Sequence, residues 1–288
     1  VDRLLARAGW DSLPSTWPEW KRAMQAVKQV AGPGKFAILL PVNEWSPTVI
    51  LGLQAGSKLL RDGDTRGAFA EPECHAAFDF YLDLFRSGLA PPVTNNEIAN
   101  VYNEFAKGYF CMYITGPWNL GEFARRLPPE LQNAWATAPI PGIDAAHPGV
   151  SLAGGSSLVL FRGSHHKEAA WQLVEYLSQP EVQLRFYRSI GDLPARVEAW
   201  RDTSLSGDAR IRAFGTQLER VVPTPKIPEW ELITTRVQER TELAVRGGAS
   251  ADSALALLDR DVDRMLEKRR WLMQRAHPSA RTAAVGGP

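Results

Sequence analysis

The sequence lacks a long apolar run, since nothing in its 288 residues approaches the roughly eighteen consecutive apolar residues of a membrane-spanning helix. It also lacks an excess of charge, because 33 basic residues balance 32 acidic ones to a formal net charge of +1. No run of lysine and arginine is interleaved with aromatic residues. These absences argue against a membrane-embedded protein and against a nucleic-acid partner.

Cysteine is scarce as well. Cys74 and Cys111 are the two cysteines of the chain, which are too few for a disulfide framework. The favoured interpretation is two small buried side chains, and a single disulfide between them stays open as the alternative.

The residue patterns of common catalytic and cofactor sites are absent. There is no P-loop and no G-x-S-x-G elbow, and Gly154-Gly155 lacks the spacing of a dinucleotide fingerprint. His165 and His166 are adjacent, so their side chains diverge, and no carboxylate or cysteine stands at metal-ligand spacing. The sequence therefore predicts no cofactor, no metal site and no catalytic residue.

One catalytic alternative stays open, a glycoside-processing enzyme, because such an enzyme needs a pair of carboxylates. The candidate pairs are Glu44 with Glu122 and Glu44 with Asp192. The sequence does not give their separation, and a surface or structural role is the default for each.

The chain is rich in tryptophan, with ten residues, and one of them ends its most informative stretch, residues 102–118. An amphipathic helix there stops at Gly108, since glycine readily adopts the left-handed conformation of a helix C-terminus. Residues 110–114 are an apolar run typical of a buried strand. The turn Thr115-Gly116-Pro117 then places Trp118 at the strand's end, where α/β sheets bind ligands.

Other strands and helices follow from the same patterns. Apolar runs predict buried strands over 36–40 and 158–161, and a further strand over 135–140. The last twelve residues, 277–288, predict a disordered tail. Periodicity predicts a hairpin over 58–70 and helices that begin near Ser15 and that span 46–56, 73–87, 167–177, 181–189, 208–221, 229–246 and 250–275.

Several polar or aromatic residues follow these strands or begin these helices. A neutral polyol needs such a set, because its hydroxyls require donors and acceptors and its ring faces stack on aromatic side chains. Each residue by itself is more often structural, and it is their joint placement that favours a binding site. The candidate ligand-binding residues are Asn43, Glu44, Trp45, Trp118, Gly154, Gly155, Ser156 and Trp230.

Three segments carry a resemblance to a known family. They are LLARAGWDSLPSTWPEW (4–20), YNEFAKGYFCMYITGPW (102–118) and the stretch from GGSSLVLF to QLRFY (154–187). The second resembles the motif F-x-x-G-x-x-A-M-x-I-x-G-P-W of the extracellular solute-binding proteins of ABC importers, in the group that contains the maltose-binding protein. The resemblance is collinear from residue 1 to about 267.

The resemblance implies an α/β fold of the type II periplasmic-binding-protein kind, with mixed sheets flanked by helices and a ligand cleft between two lobes. It implies no catalysis, a carbohydrate ligand (a di- or oligosaccharide) and transfer of that ligand to the membrane permease subunits of an ABC importer. The implied protein is a monomer, periplasmic or extracellular, with or without a lipid anchor.

Particular residues match positions that contact sugar in this family. Glu44 and Trp45 match a polar and aromatic pair of the maltose-binding protein, and Trp118 matches the stacking tryptophan of the G-P-W motif. The family's later ligand contacts correspond to backbone groups at Gly154-Gly155-Ser156 and to a late segment that contains Trp230 and Arg236.

The chain departs from the family by lacking the portion that precedes Val1 in its members. The comparison assigns 1–148 and 202–288 to the C-terminal lobe, and 149–201 to a partial N-terminal lobe whose remainder is missing. We therefore expect a fragment, or a chain that pairs with a separate N-terminal fragment, and we expect the signal peptide to lie outside it.

Two further functions stay open. A binding protein for glycerol phosphate, a polyamine or another small polar solute would need arginine clusters or carboxylate rings, and Arg236 keeps the phosphate option open. A sensor-coupled binding protein would signal to a partner instead of delivering its ligand to a permease.

Overall fold

The structure, a computed structural model, describes residues 2–152 and 154–276. The chain forms two compact units that divide it after Leu39, after Glu97 and after Val222. Unit 1 contains the segment up to Leu39 and Ile98–Val222, and unit 2 contains Leu40–Glu97 and the segment from Pro223 onward. The lobe boundaries predicted near 148 and 201 are not where this division falls, and the lobe assignment stays a prediction.

Helices dominate both units. Among the described residues the α-helices are α1 (Asp2–Arg7), α2 (Trp17–Ala31), α3 (Ser46–Gln54), α4 (Pro72–Arg86), α5 (Val101–Ala106), α6 (Trp118–Arg126), α7 (Lys167–Leu177), α8 (Pro180–Ile190), α9 (Thr203–Ser206), α10 (Ala209–Leu218), α11 (Trp230–Val245), α12 (Ala251–Met265) and α13 (Glu267–Ala276). Short 3₁₀ helices span Asn95–Glu97, Pro129–Leu131 and Val197–Arg201. The strands are β1 (Phe36–Leu39), β2 (Leu60–Arg61), β3 (Arg66–Gly67), β4 (Phe110–Tyr113), β5 (Ser151–Leu152) and β6 (Val221–Val222).

The predicted helices are confirmed, with small shifts at their ends. The helix expected over 250–275 is two helices, α12 and α13, which are separated at Leu266. The helix expected over 208–221 ends earlier, at Leu218, because the chain enters β6 at Val221. The predicted tail over 277–288 lies outside the described residues.

In unit 1, β1 and β4 pair in parallel, with Phe36 opposite Phe110 and Leu39 opposite Tyr113. Both strands are the apolar runs that the sequence predicts. Helix α2 packs beside β1. It begins with a capping box, in which the Thr16 hydroxyl accepts from the backbone of Glu19 and the Glu19 carboxylate accepts from the backbone of Thr16.

An aromatic cluster holds α5 and α6 together in unit 1. The ring of Phe123 lies 5.3 Å from that of Tyr102, 5.1 Å from that of Phe105 and 5.3 Å from that of Trp135, measured between centroids. The guanidinium of Arg210 lies 4.0 Å above the Trp135 ring, which ties α10 to the cluster.

The strand predicted over 135–140 is wrong. Pro139 has no backbone N–H to donate to a neighbouring strand. The residues on either side of it form hydrogen bonds that involve side chains instead of strand pairing. The Thr137 hydroxyl donates to the carbonyl oxygen of Arg210 (2.7 Å), and the Ile140 N–H donates to the Gln217 side chain (2.8 Å). This segment is therefore irregular and still packed.

The buried strand predicted over 158–161 is also wrong. This run belongs to no strand of the described chain, and its four side chains are exposed, Val159 by 71% and Phe161 by 76%. The strands that precede and follow this run in the chain, β5 and β6, pair only with each other, in parallel and over two residues. The prediction failed because an apolar pattern does not show whether a partner is present to cover it.

In unit 2, α3, α4, α11 and α12 pack around a buried core that includes Tyr81 and Val237. The predicted hairpin over 58–70 is confirmed as β2 and β3, joined by a turn in which Asp62, Gly63 and Asp64 all have positive φ. The Asp259 carboxylate on α12 accepts from backbone amides just after the hairpin.

Both cysteines are free and buried, Cys111 in unit 1 and Cys74 in unit 2. In the described residues, no helix has the length and apolar character needed to cross a membrane.

Candidate functional site

The turn after β1 gathers three polar side chains in unit 2. The Glu44 N–H donates to the Pro41 carbonyl oxygen (3.0 Å), which closes the turn. The Asn95 backbone N–H donates to Oδ1 of Asn43 (2.8 Å), and Nδ2 of Asn95 donates to Oε1 of Glu44 (2.5 Å). Asn95 thus holds the two predicted residues Asn43 and Glu44 in fixed orientations. The sequence did not single out Asn95, because tertiary packing brings it here from 51 positions away.

The same turn ends in an aromatic pair. The rings of Trp45 and Trp230 meet edge to face, with centroids 5.9 Å apart and planes at 87°. Trp230 is buried and begins α11, whereas Trp45 precedes α3 and is only half-buried. Trp230 therefore supports the Trp45 ring and leaves part of it accessible. Asn43, Glu44, Trp45 and Trp230, four of the predicted site residues, form one local group.

A carboxylate that the sequence did not reveal stands next to this pair. Oε2 of Glu229 is buried and has no hydrogen-bond partner among the described residues. An unpaired buried carboxylate oxygen is costly, so a donor from outside the chain, such as a ligand hydroxyl, would stabilise it. The sequence around this residue, Pro228-Glu229-Trp230, gives no sign that the carboxylate oxygen is buried.

Arg236 lies farther along α11 and forms an ion pair with Glu239 on the same helix. It is separated from Trp230 by six residues, which places the two side chains on different sides of the helix. The structure therefore does not add Arg236 to the group around Trp45.

In unit 1, Trp118 opens α6, with Pro117 in the N-cap position. The Trp118 side chain is 55% exposed. Its ring lies over Gly116 so closely that a Cβ added to Gly116 would be 1.9 Å from a ring carbon. The glycine of the G-P-W motif thus makes room for the indole, and the outer part of the ring stays open to solvent.

The start of α6 is anchored below this ring. Asn119 is buried; its Oδ1 accepts from the Tyr102 hydroxyl (2.6 Å), and its Nδ2 donates to the Thr115 hydroxyl. These bonds fix both ends of the turn that carries Trp118. A fixed turn preorganises the aromatic surface, which lowers the ordering cost of ligand binding.

Gly154, Gly155 and Ser156 are exposed in unit 1. Gly155 has a φ of 133°, a backbone conformation that favours glycine. No side chain fills the space in which a Cβ of Gly154 or Gly155 would lie, so their backbone groups are open to approach.

The carboxylate of Glu122 is held by arginines. Hydrogen bonds from Arg125 and then Arg126 lower the pKa of Glu122 below its usual range. A lowered pKa keeps this group ionised at neutral pH, whereas the general acid of a glycosidase needs a raised one. Across the described residues, no three histidine, cysteine, aspartate or glutamate side chains are grouped as a metal site would require.

The family is decided by comparison with known proteins. The sequence profile of the bacterial extracellular solute-binding proteins matches residues 4–210, which is most of the chain. The chain belongs to this family.

Solved structures of solute-binding proteins align with the chain. The sugar-binding protein MalE of Xanthomonas citri is 46% identical, with a TM-score of 0.90, over 95% of this chain and 69% of that one. An ABC transporter solute-binding protein of Thermotoga lettingae, solved with α-D-tagatose, is 24% identical, with a TM-score of 0.78, over 92% of this chain and 68% of that one. The resemblance and the α/β fold of the periplasmic-binding-protein type are thereby confirmed.

A curated relative is also longer than this chain. A putative binding protein of Brucella abortus is 26% identical over 269 residues, which are 92% of this chain and 64% of that protein. The chain therefore spans slightly less than two thirds of that protein's length.

Proposed function

We propose that this chain binds a di- or oligosaccharide as the substrate-binding component of an ABC importer. The proposal rests on membership of the solute-binding family and on 46% identity to a protein described as a sugar-binding MalE. The relatives are binding proteins, and the proposal includes no catalytic step.

The observation that carries the proposal is the exposed indole of Trp118. A tryptophan that is more than half exposed, placed over a glycine and anchored by buried hydrogen bonds, offers a rigid flat surface. Sugar rings present apolar C–H faces that stack on such a surface, and the loss of water from both faces favours binding.

Within unit 2, the group around Trp45 offers polar atoms of the kind that a sugar requires. Asn43 and Glu44 offer oxygens held in place by Asn95, and Glu229 offers a buried oxygen that has no partner within the described residues. Hydroxyl groups donate to such acceptors, and the half-buried Trp45 ring offers an aromatic surface within the same unit. In unit 1, Gly154, Gly155 and Ser156 offer accessible backbone groups.

The alternatives lose support at specific residues. A phosphate ligand would use Arg236, but its guanidinium is already paired with Glu239. A glycosidase would use Glu122 as an acid, but arginines hold that carboxyl in its ionised form. Sensing instead of transport would use the same sugar site and would differ only in the partner protein.

The proposed partners and location follow the family. The ligand-loaded protein would meet the permease subunits of an ABC importer, in the periplasm or outside the cell, free or lipid-anchored. We propose a monomer for the ligand-binding unit.

A fluorescence titration tests the function. Because the matched relatives are longer, we would use both this chain and a chimera that adds the part of X. citri MalE that this chain does not span, joined in that protein's own order. We call it the MalE chimera. Glucose, its di- and trisaccharides, glycerol 3-phosphate and spermidine are titrated while tryptophan emission is recorded.

Saturable binding of a saccharide by the MalE chimera supports the proposal. Binding of glycerol 3-phosphate or spermidine alone would replace the substrate class, and release of glucose from an oligosaccharide would indicate an enzyme. Glu229→Gln serves as a variant, since it keeps the size of the side chain but replaces the carboxylate whose oxygen we expect to accept a hydrogen bond from a ligand hydroxyl.

A further inference from the structure

Helix α13 is a part of unit 2 whose chemistry the candidate sugar site does not use. Its ten residues carry four basic side chains and one acidic side chain, and they include Trp271, Leu272 and Met273 in succession. All three apolar side chains are exposed, Trp271 by 52% and Leu272 by 50%. A group of large apolar side chains in solvent marks a surface that contacts a partner.

Two arginines define the side of α13 that faces its own chain. Nε of Arg269 donates to the carbonyl oxygen of Asp64 (2.9 Å), and Nη1 of Arg270 donates to the carbonyl oxygen of Thr65 (2.7 Å). Both acceptors lie in the turn between β2 and β3. Because Arg269 and Arg270 are adjacent and both reach this turn, they fix the inner side of the helix.

The opposite side of the helix combines cations with large apolar groups. We call it the outer face of α13, and it consists of Lys268, Trp271, Leu272 and Arg275. These residues follow the spacing i, i+3, i+4 and i+7, which places them in one stripe about half a turn away from the two inner arginines. The Arg275 guanidinium lies 4.4 Å from the centre of the Trp271 ring, so a cation and an indole share one surface.

The positive charge of this region is available to a partner. Lys268 and Arg275 are exposed, and no carboxylate of the described residues forms an ion pair with either. Arg264, in the last turn of α12, is exposed as well. Asp263 beside it is already paired with Arg66 of the hairpin, at 2.9 Å. The outer face therefore presents unpaired cations next to exposed apolar side chains.

This composition matches the boundary region of an anionic lipid bilayer. Lysine and arginine attract the lipid phosphates, and tryptophan and leucine bury their apolar parts between the headgroups and the acyl chains. A nucleic acid would use the cations but would give Leu272 no apolar environment. A bilayer surface uses both halves of the face.

We propose that the outer face of α13 binds the surface of an anionic membrane, with the helix lying in the plane of the bilayer. Arg269 and Arg270 hold the helix on the hairpin, so binding would fix the orientation of unit 2 on the membrane without a spanning segment. The proposal uses no residue of the candidate sugar site, so it can fail while the proposed function stands, and the reverse also holds.

Vesicle flotation tests the proposal on this chain and on the MalE chimera, which share α13. Vesicles of equal parts phosphatidylglycerol and phosphatidylcholine are compared with vesicles of phosphatidylcholine alone. We expect both proteins to bind the anionic vesicles and to be released at about 1 M salt, where the Debye length falls to about 3 Å. Equal binding to both kinds of vesicle, or no binding by the chimera, would overturn the proposal.

Single substitutions show whether the outer face is responsible. Lys268→Gln should weaken vesicle binding about five-fold, which is the effect of one basic residue at an anionic surface. Trp271→Ala should weaken it at least about ten-fold, because the indole supplies most of the buried apolar area. Trp171→Ala is the matched control, since Trp171 is a 51% exposed tryptophan of α7 in unit 1, and it should leave vesicle binding unchanged. Equal losses for the two tryptophan variants would contradict the proposal.

Other occupants of the face give distinct results. The melting temperature of each variant should stay unchanged, since these side chains are exposed, so a loss of vesicle binding cannot be ascribed to unfolding. Sedimentation at rising concentration detects a second copy; a dimer that Trp271→Ala abolishes, without vesicle binding, would assign the face to self-association and overturn the proposal. Binding of a DNA duplex in place of the vesicles would also overturn it.

Discussion

Replacing Trp118 by alanine removes the surface on which we propose that a sugar ring stacks. A tryptophan side chain offers about 250 Å² of surface, so an exposure of 55% leaves about 140 Å² free. A ring lying flat against one face covers roughly half of this, about 70 Å², which at about 25 cal/mol per Å² corresponds to about 1.7 kcal/mol. We therefore expect the Kd for the bound sugar to rise roughly 15- to 20-fold.

Titration calorimetry on the MalE chimera measures this change. Trp271→Ala is the matched control, since Trp271 is 52% exposed on α13 and belongs to no proposed sugar site. The Trp118→Ala variant should keep its melting temperature, because the indole is not part of a core. An unchanged Kd for Trp118→Ala, or an equal loss for Trp271→Ala, would show that stacking on Trp118 is not the source of affinity.

Three other predictions follow from single contacts. Gly116→Ala should weaken sugar binding about as much as Trp118→Ala, because the added Cβ displaces the indole, and calorimetry on both variants checks this. Asp259→Ala should lower the free energy of unfolding by about 1 to 3 kcal/mol in urea titrations, because two backbone amides after the hairpin lose their acceptor; no change would refute this role. Burial raises the pKa of Cys74 to about 12 and of Cys111 to about 11, so at pH 8 neither thiol should react with Ellman's reagent until urea unfolds the chain; rapid reaction of the native protein would contradict their burial.

Local patterns predicted those parts of the fold whose partners are close in sequence or are strongly apolar. The runs at β1 and β4 paired as expected, and the positive φ of Gly108 ends the helix that precedes β4. Turn residues predicted the hairpin for the same reason, since Gly63 and its neighbours tolerate left-handed backbone.

The failures share one physical cause, which is that a pattern does not report its surroundings. Residues 135–140 read as a strand, yet Thr137 and Ile140 bond to side chains and carbonyls from α10 instead of to a neighbouring strand. The run 158–161 has the pattern of an internal strand but pairs with no strand in the part of the chain that the structure describes.

The residues of the candidate site show the same contrast between local patterns and tertiary surroundings. Trp118 could be predicted because Gly-Pro-Trp is a local motif, and Trp45 because it follows a strand. Asn95 and Glu229 could not be predicted, since Asn95 reaches the candidate site through packing and Glu229 is notable only for an oxygen that has no partner among the described residues.

The central claim is a saccharide ligand, and a thermal-shift screen tests it most directly. Mono-, di- and oligosaccharides and glycerol 3-phosphate are each added to this chain and to the MalE chimera, because a ligand that binds only the native state raises the melting temperature. The account predicts a rise with one saccharide class in the chimera. A rise with glycerol 3-phosphate and with no saccharide would contradict it.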